Sequence, residues 1–325
     1  MEPAKHPKDG LKQRDLTRRD FLKFCTVVAG AMGLGPAFGP KIVEAFTSGQ
    51  RPPVLWLHFA ECTGCTEAVL RTTSPFFDDL LFNSISLDYH ETLMAAAGEQ
   101  VKNILYSSAD KYAGQFFCVV EGAIPTADGG IYGMVGGRTM LSIAQEVCPK
   151  AKAIIAIGNC GSYGGLPAAA PNPTGAKGVQ GALGSQLTVP VVNLPGCPPN
   201  PINFVATLAN HLLFNELPRL DQHGRPVFAY GARVHEQCPY RHDSQEHRCL
   251  EDYGCKGKRC HNNCPTEQFN DKTSWPVLAG HPCIGCSEPD FWDTMTPFYQ
   301  ENEEHDEHDG YGDSEEYSHE EKYDD

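Results

Sequence analysis

Cysteines stand at the ends of apolar runs in the first two thirds of the chain, and this placement constrains the fold more than any other feature. Between Pro53 and about Phe214, five apolar runs alternate with helix-like segments, at residues 54–59, 85–89, 116–120, 153–157 and 191–194. Runs of this length that alternate with helices are typical of parallel strands covered on both faces. The sequence therefore predicts an α/β fold with a parallel sheet covered by helices on both faces.

Four of the cysteines follow three of these runs. Cys62 and Cys65 come after the first run, Cys160 after the fourth and Cys197 after the fifth. Because the carboxyl ends of parallel strands share one edge of a sheet, we expect these four thiols to converge there. Glycines beside them would let the backbone approach a bulky group.

After Phe214 the sequence becomes polar and rich in Gly and Pro, and it contains seven of the fourteen cysteines. A segment with so few apolar residues is expected to depend on cofactors for its folding. Two further ligand groups are predicted in it. One is His235, Cys238, Cys249 and Cys255, and the other is Cys264, Cys283 and Cys286.

Disulfides, structural zinc and iron-sulfur clusters are the three explanations for so many cysteines. Zinc ribbons contain two CxxC knuckles. The first group here contains only one CxxC pair, together with two single cysteines. A zinc site remains the alternative for the group at His235, and a structural zinc protein is the rival class of function. Visible absorption that bleaches on reduction would identify clusters.

The N-terminus predicts export. Arg18 and Arg19 precede an apolar, Gly-rich stretch, and the residues around Ala45 resemble a cleavage site. We expect residues 1–45 to be a twin-arginine signal peptide, with an amphipathic helix as the alternative. This route carries folded proteins loaded in the reducing cytoplasm, which favours clusters over disulfides and places the mature protein in the periplasm.

The charge is concentrated at the C-terminus. The formal net charge is -15, and residues 301–325 contain thirteen Asp and Glu against one Lys. The rest of the chain is close to neutral, which argues against nucleic acid as a partner. Four segments are expected: the signal peptide, an α/β sheet domain at 46–214, a cluster-binding domain at 215–300 and an acidic, His-containing disordered tail at 301–325.

Several longer motifs resemble one family, the small subunits of nickel-iron hydrogenases, over about Arg51 to Tyr299. They are ECTGCTE at 61–67, NLPGCPPNP at 193–201, GCKG at 254–257, NNCP at 262–265 and GHPCIGCSEPD at 280–290. A quinone-reductase subunit that shares only the first cluster domain is a rival, but that branch lacks the C-terminal cysteine groups.

The resemblance implies a flavodoxin-like N-terminal domain at 46–214, three iron-sulfur clusters and a separate large subunit that splits dihydrogen at a nickel-iron site. This chain would conduct electrons to an external acceptor, either a multihaem c-type cytochrome, a membrane cytochrome or a ferredoxin-type protein. The implied ligands are, for a proximal 4Fe-4S cluster, Cys62, Cys65, Cys160 and Cys197; for a distal 4Fe-4S cluster, His235, Cys238, Cys249 and Cys255; and for a medial 3Fe-4S cluster, Cys264, Cys283 and Cys286.

Three details refine the resemblance. Pro276 stands where selenium-containing relatives have a fourth medial cysteine, so a three-iron cluster is implied. Gly64 and Gly133 match the positions of two extra cysteines in oxygen-tolerant relatives, which implies an ordinary proximal cluster and an oxygen-sensitive enzyme. Cys260 is an extra thiol outside the family pattern, and the stretch between Cys238 and Cys249 is shorter than usual.

The remaining candidates have two interpretations each. Glu61 and Glu121 could assist proton movement or contact a partner, or could be structural carboxylates with satisfied hydrogen bonds. Cys118 and Cys148 are expected to be packed thiols.

Overall fold

A computed structural model describes residues 18–47, 51–72, 84–241, 248–270 and 272–300. The predicted acidic tail at 301–325 lies outside the described residues, and so do the side chains of Arg18 and Arg19.

The described strands form one central sheet and two small antiparallel pairs. They are β1 (Pro53–His58), β2 (Ser86–His90), β3 (Phe117–Glu121), β4 (Ile124–Pro125), β5 (Met134–Val135), β6 (Arg138–Thr139), β7 (Ala153–Ile157), β8 (Ala176–Lys177) and β9 (Val191–Leu194). The central sheet has the order β2-β1-β3-β7-β9, and every neighbouring pair in it is parallel. The predicted α/β fold with a parallel sheet is confirmed.

Both faces of the sheet are buried because the strands are apolar at nearly every position. Val54 and Trp56 of β1 contribute to the core on one face, and Leu55 and Leu57 contribute to the core on the other. This alternation follows from the two-residue repeat of a strand. Strands that are buried on both faces have no polar side. All five residues of β7 are apolar and buried.

The helices cover these faces and then continue into the C-terminal region. They are α1 (Arg18–Ala31), α2 (Gly39–Thr47), α3 (Gly64–Leu70), α4 (Glu99–Lys111), α5 (Met140–Val147), α6 (Gly158–Tyr163), α7 (Val179–Leu183), α8 (Pro201–Phe214), α9 (Val227–Tyr230), α10 (Val234–Gln237), α11 (Cys264–Glu267) and α12 (Phe291–Thr294). Among the described residues, no helix combines the length and the apolar character that crossing a bilayer requires.

Helix α8 connects the sheet to the N-terminal segment. The side chain of Asn200 caps its first turn by accepting from the Ile202 N–H at 3.1 Å. Helices α1 and α2 pack against α8, and Val28, Ile42 and Phe46 are buried in the same core as that face of the sheet. The described part of the expected signal segment, from residue 18 onward, is therefore packed against the sheet domain.

Beyond α8 the described chain has short helices and isolated bridges in place of strands. Its apolar residues form two small clusters, one around Trp275 and Cys260 and the other around Phe291 and Trp292. Small clusters of this kind bury little apolar area, so bound cofactors are expected to contribute to the stability of this region.

Candidate metal-cluster sites

The first cysteine group lies at the carboxyl edge of the sheet. Cys62 and Cys65 flank the start of α3 after β1, Cys160 lies in α6 directly after β7, and Cys197 follows β9. Burial raises the pKa of the Cys65 thiol well above its usual range, and the charges of Glu121 and the other three cysteines raise it further. Burial likewise raises the pKa of Cys160 to about 12. The structure thus brings all four predicted thiols together.

Two glycines keep space open around these thiols. A Cβ at Gly158 would overlap the Cys65 sulfur, and a Cβ at Gly165 would lie 2.5 Å from the Cys160 sulfur. Both glycines also have positive φ, at 78° and 55°, where other residues are strained. Four thiols at one edge of the sheet, with glycines beside two of them, fit a four-iron cluster, since such clusters are held by four thiolates.

Glu121 at the end of β3 holds the CxxC segment in place. Its carboxylate accepts from the backbone N–H of Cys65 at 3.0 Å, from that of Thr66 at 3.1 Å and from the Trp56 ring nitrogen at 3.0 Å. The Thr66 hydroxyl is a further donor. Because Glu121 is only 1% exposed and both of its oxygens have partners, the structural interpretation of this residue fits the geometry.

Glu61 has a different environment. One of its carboxylate oxygens lies 3.2 Å from the Nδ1 of His58, while its Oε2 is buried without a hydrogen-bond partner. The Nε2 of His58 faces the Nε2 of His90 at 3.4 Å. The sequence did not identify this histidine pair, because the two residues lie on different strands and belong to no motif.

The third cysteine group lies in the C-terminal region, and its three residues are half-buried. Cys264 begins α11, and Cys283 and Cys286 lie on the loop before α12. Burial raises the pKa of the Cys286 thiol well above its usual range, and the charges of Cys260 and Cys264 raise it further. The extra thiol Cys260 is thus located beside the three predicted ones.

The second group lies at one cavity in the C-terminal region. His235 of α10, Cys238, Cys249 and Cys255 all line this cavity. Ligand atoms of His235, Cys249 and Glu251 lie within 4.8 Å of one another, and all three residues are half-buried. Glu251 was not predicted from the sequence, and it pairs with Lys258. An imidazole and three thiols at a partly exposed position suit a cluster that exchanges electrons with a partner protein.

Direct hydrogen bonds connect the three groups. The backbone N–H of Cys283 donates to the Cys255 Sγ at 3.3 Å, and the N–H of Lys256 donates to the Cys283 carbonyl at 2.7 Å. The side-chain amide of Asn159, next to Cys160, donates to the Cys286 carbonyl at 2.8 Å. The three sites therefore form a continuous series through the protein.

A buried arginine also supports the third group. Arg225 is 2% exposed, and it pairs with Asp221 at 2.8 Å and with Glu288 at 3.1 Å. It also donates to the Ser287 carbonyl, next to Cys286. Sequence reasoning missed this network, because charged residues distant in sequence give no periodic signal. A buried charge requires partners of this kind.

The other cysteines have no place in these groups. Cys118 and Cys148 are 0% exposed, and their sulfurs are 3.9 Å apart within the core of the sheet domain. Both are packed thiols, as expected.

Two families match different parts of the chain. Residues 62–211 match the family described as the 20 Kd subunit of NADH ubiquinone oxidoreductase. Residues 230–299 match the C-terminal region of NiFe/NiFeSe hydrogenase small subunits. The second match covers the cysteines that the quinone-reductase alternative lacks, so it disfavours that alternative.

Curated relatives are similar over most of their length. The small subunit 1 of the periplasmic [NiFe] hydrogenase of Nitratidesulfovibrio vulgaris is 53% identical over 89% of this chain and 95% of its own. The corresponding protein of Solidesulfovibrio fructosivorans is 52% identical over 90% of this chain and 95% of its own.

Solved structures agree with these relatives. The Ni-Fe-Se hydrogenase of Desulfomicrobium baculatum superimposes with a TM-score of 0.74 and 37% identity, over 78% of this chain and 100% of the other. An actinobacterial-type NiFe-hydrogenase from Ralstonia eutropha gives a TM-score of 0.71 and 26% identity, over 78% of this chain and 83% of the other. The fold, the cysteine groups and these matches together show that the chain belongs to the nickel-iron hydrogenase small subunits and is the electron-transfer subunit of a hydrogenase.

Proposed function

We propose that the three cysteine groups hold two 4Fe-4S clusters and one 3Fe-4S cluster. The ligands would be Cys62, Cys65, Cys160 and Cys197 at the proximal site; His235, Cys238, Cys249 and Cys255 at the distal site; and Cys264, Cys283 and Cys286 at the medial site. Support comes from the convergence of the thiols and from the glycines that leave room at the proximal site.

The observation that carries this proposal is the hydrogen-bonded series from Asn159, next to Cys160, to Cys286 and from Cys283 to Cys255. When bound, the clusters would supply one-electron redox chemistry. The protein holds the ligands of neighbouring sites in fixed relation. We infer that a large subunit with the nickel-iron site binds this chain, so that electrons enter at the proximal site and leave at the distal site.

The medial site is proposed to bind three irons because Pro276 offers no ligand to a fourth. Proline has neither a side-chain donor atom nor a backbone N–H. Pro276 and Cys286 line the same cavity, which supports this proposal.

Export through the twin-arginine route is proposed from Arg18 and Arg19, with cleavage near Ala45 and function in the periplasm. The named relatives are periplasmic, which supports this location.

The half-buried distal site would deliver electrons to a multihaem c-type cytochrome or a membrane cytochrome. The domain boundaries at 46–214 and 215–300 follow from the same assignment.

Iron analysis of the purified complex of both subunits tests the proposal. Cys197→Ser is expected to lower the iron content by about four atoms per complex, because a four-iron cluster needs its thiolates. Cys118→Ala is the matched control, since Cys118 is a buried thiol outside the three groups. Equal iron content in both variants would contradict the proximal assignment.

A further inference from the structure

Helix α8 is buried on every side. Its seven consecutive residues 203–209 are each 1% exposed or less. Because seven residues complete about two turns of an α-helix, no side of this stretch faces water. On one side α8 packs against the sheet, where the ring centroids of Phe204 and Trp56 lie 5.4 Å apart. A helix that is buried all round needs a second cover on the side that faces away from the sheet.

The second cover is the expected signal segment. Helices α1 and α2 pack against α8, and Val28 and Ile42 are 0% exposed in the core that they share with it. The ring centroid of Phe38, between α1 and α2, lies 6.5 Å from that of Phe214 at the end of α8. Cleavage near Ala45, as proposed above, would remove α1 and α2 and leave this side of α8 uncovered.

The covered side of α8 adjoins the proximal site. One cavity of about 670 Å³ is lined by Val27 of α1 and by Gly64 and Cys197 of the proximal site. Cys62 and Cys197 are both exposed in this chain. Electrons that enter at the proximal site come from the large subunit, so the large subunit must lie against these thiols. The signal segment therefore borders the surface to which the large subunit binds.

We propose that residues 18–47 cover part of the docking surface for the large subunit, on the side of α8 that faces away from the sheet, and that the two exclude each other there. This inference rests on the proposed function, which places the large subunit at the proximal site. An apolar face of this kind suits a partner that stays bound, since permanent interfaces are more apolar than transient ones. The large subunit binds the unprocessed chain only after α1 and α2 have left α8, which lowers its apparent affinity.

The test is amide hydrogen exchange of the unprocessed full-length chain, alone and in its purified complex with the large subunit. In the chain alone, the amides of α1 are expected to exchange slowly, because packed helices open rarely. In the complex they are expected to exchange at least about tenfold faster, because a displaced helix of this length is marginally stable in water. The amides of β3, in the middle of the sheet, should stay protected in both samples.

Variants of the segment test the competition separately. Val28→Asp places a carboxylate in the core beneath α1 and weakens this cover. We expect the unprocessed variant to bind the large subunit at least about tenfold more tightly than the wild type, because more of its chains have a free α8. Ala37→Asp is the matched control, since it adds the same charge to the same segment at an exposed position. Ile42→Asp makes the same test in α2 and replaces Val28→Asp if that chain fails to fold.

Two results would overturn the inference. Amides of α1 that stay equally protected in the complex, with unchanged affinity in Val28→Asp, would place the large subunit on another face. Self-association of Val28→Asp that the large subunit does not reverse would assign the side of α8 to a second copy of this chain. Failure of the proposed function is distinguishable, because the large subunit would then bind neither the wild type nor the variants.

Discussion

The backbone N–H of Cys283 donates a hydrogen bond to the sulfur of Cys255 at 3.3 Å. Cys283 belongs to the proposed medial site and Cys255 to the proposed distal site, so ligands of two different clusters are in direct contact. The N–H of Lys256, next to Cys255, donates to the Cys283 carbonyl. The two segments are therefore joined by hydrogen bonds in both directions. A fixed separation between neighbouring sites is what an electron-transfer subunit requires.

Replacement of Glu121 should destabilise the proximal site. In Glu121→Gln an NH2 group takes the place of one carboxylate oxygen. Each of the two oxygens accepts from buried donors, so the NH2 group would face donors at either position. Unpaired buried donors of this kind cost about 2 kcal/mol or more in the free energy of unfolding. Thermal unfolding of the purified complex measures this loss.

The matched control for Glu121→Gln is Asp110→Asn. The Asp110 side chain is 69% exposed and pairs with Lys150 at the surface. Exposed ion pairs contribute little to stability, so we expect the free energy of unfolding to change by no more than about 0.5 kcal/mol. Equal effects of the two substitutions would mean that Glu121 does not anchor the CxxC segment.

His90 should make the stability depend on pH. Burial and the neighbouring His58 lower the pKa of His90 to about 3. The unfolded chain binds this proton at about pH 6.5, so the unfolded state holds more protons below that pH. Stability is therefore expected to fall as the pH drops from about 6.5 towards 3, by up to about 1.4 kcal/mol per unit.

Unfolding measured between about pH 7 and pH 5 checks this dependence on His90. His90→Gln should show a weaker loss of stability over this range than the wild-type protein. His281→Gln, at an exposed position, should behave like the wild type. The same slope in His90→Gln and the wild type would contradict the role of His90.

The sheet and the first cysteine group could be predicted from the sequence because both depend on local patterns. Apolar runs define the strands, and parallel pairing then places Cys62, Cys160 and Cys197 at one edge without further information. Contacts that join residues distant in sequence could not be predicted in this way. The bond from Cys283 to Cys255 and the four donors at Glu121 depend on packing that no periodicity encodes.

The C-terminal region shows a second limit. Its motifs identify the cysteine groups, but the short helices α10 and α11 follow no long periodic pattern. The contact between Cys260 and Ser287 arises where two loops meet. The packing of Val28 and Ile42 of the expected signal segment into the sheet core was also not predicted, since an export signal is recognised from local sequence alone.

Substitution of both Arg18 and Arg19 by lysine should block export. The twin-arginine transporter recognises the arginine pair, so both subunits are expected to remain in the cytoplasm. Cell fractionation followed by detection of each subunit measures this. Lys23→Arg is the control, because it changes a basic residue of the same helix and keeps the pair. Normal export of the doubly substituted protein would rule out this route.

Introduction of a cysteine at position 276 should complete the medial site. Pro276→Cys supplies a thiolate where the wild-type chain has no ligand, and a fourth iron can then bind. The oxidised three-iron cluster is paramagnetic, whereas an oxidised low-potential cubane is silent. Electron paramagnetic resonance of the oxidised complex should show the signal in the wild type and its loss in the variant. Persistence of the full signal in Pro276→Cys would place the open corner elsewhere.

The central claim, that electrons leave the enzyme at the distal site, is tested most directly on His235→Ala by two activities of the same complex. Exchange between hydrogen and deuterium at the large subunit needs no long-range electron transfer, whereas hydrogen uptake with the native acceptor does. We predict that exchange persists at the wild-type rate while uptake falls at least about tenfold, a change equivalent to about 1.4 kcal/mol in the barrier. His281→Ala, at an exposed histidine outside the three groups, should retain both activities. Undiminished uptake in His235→Ala would contradict the account.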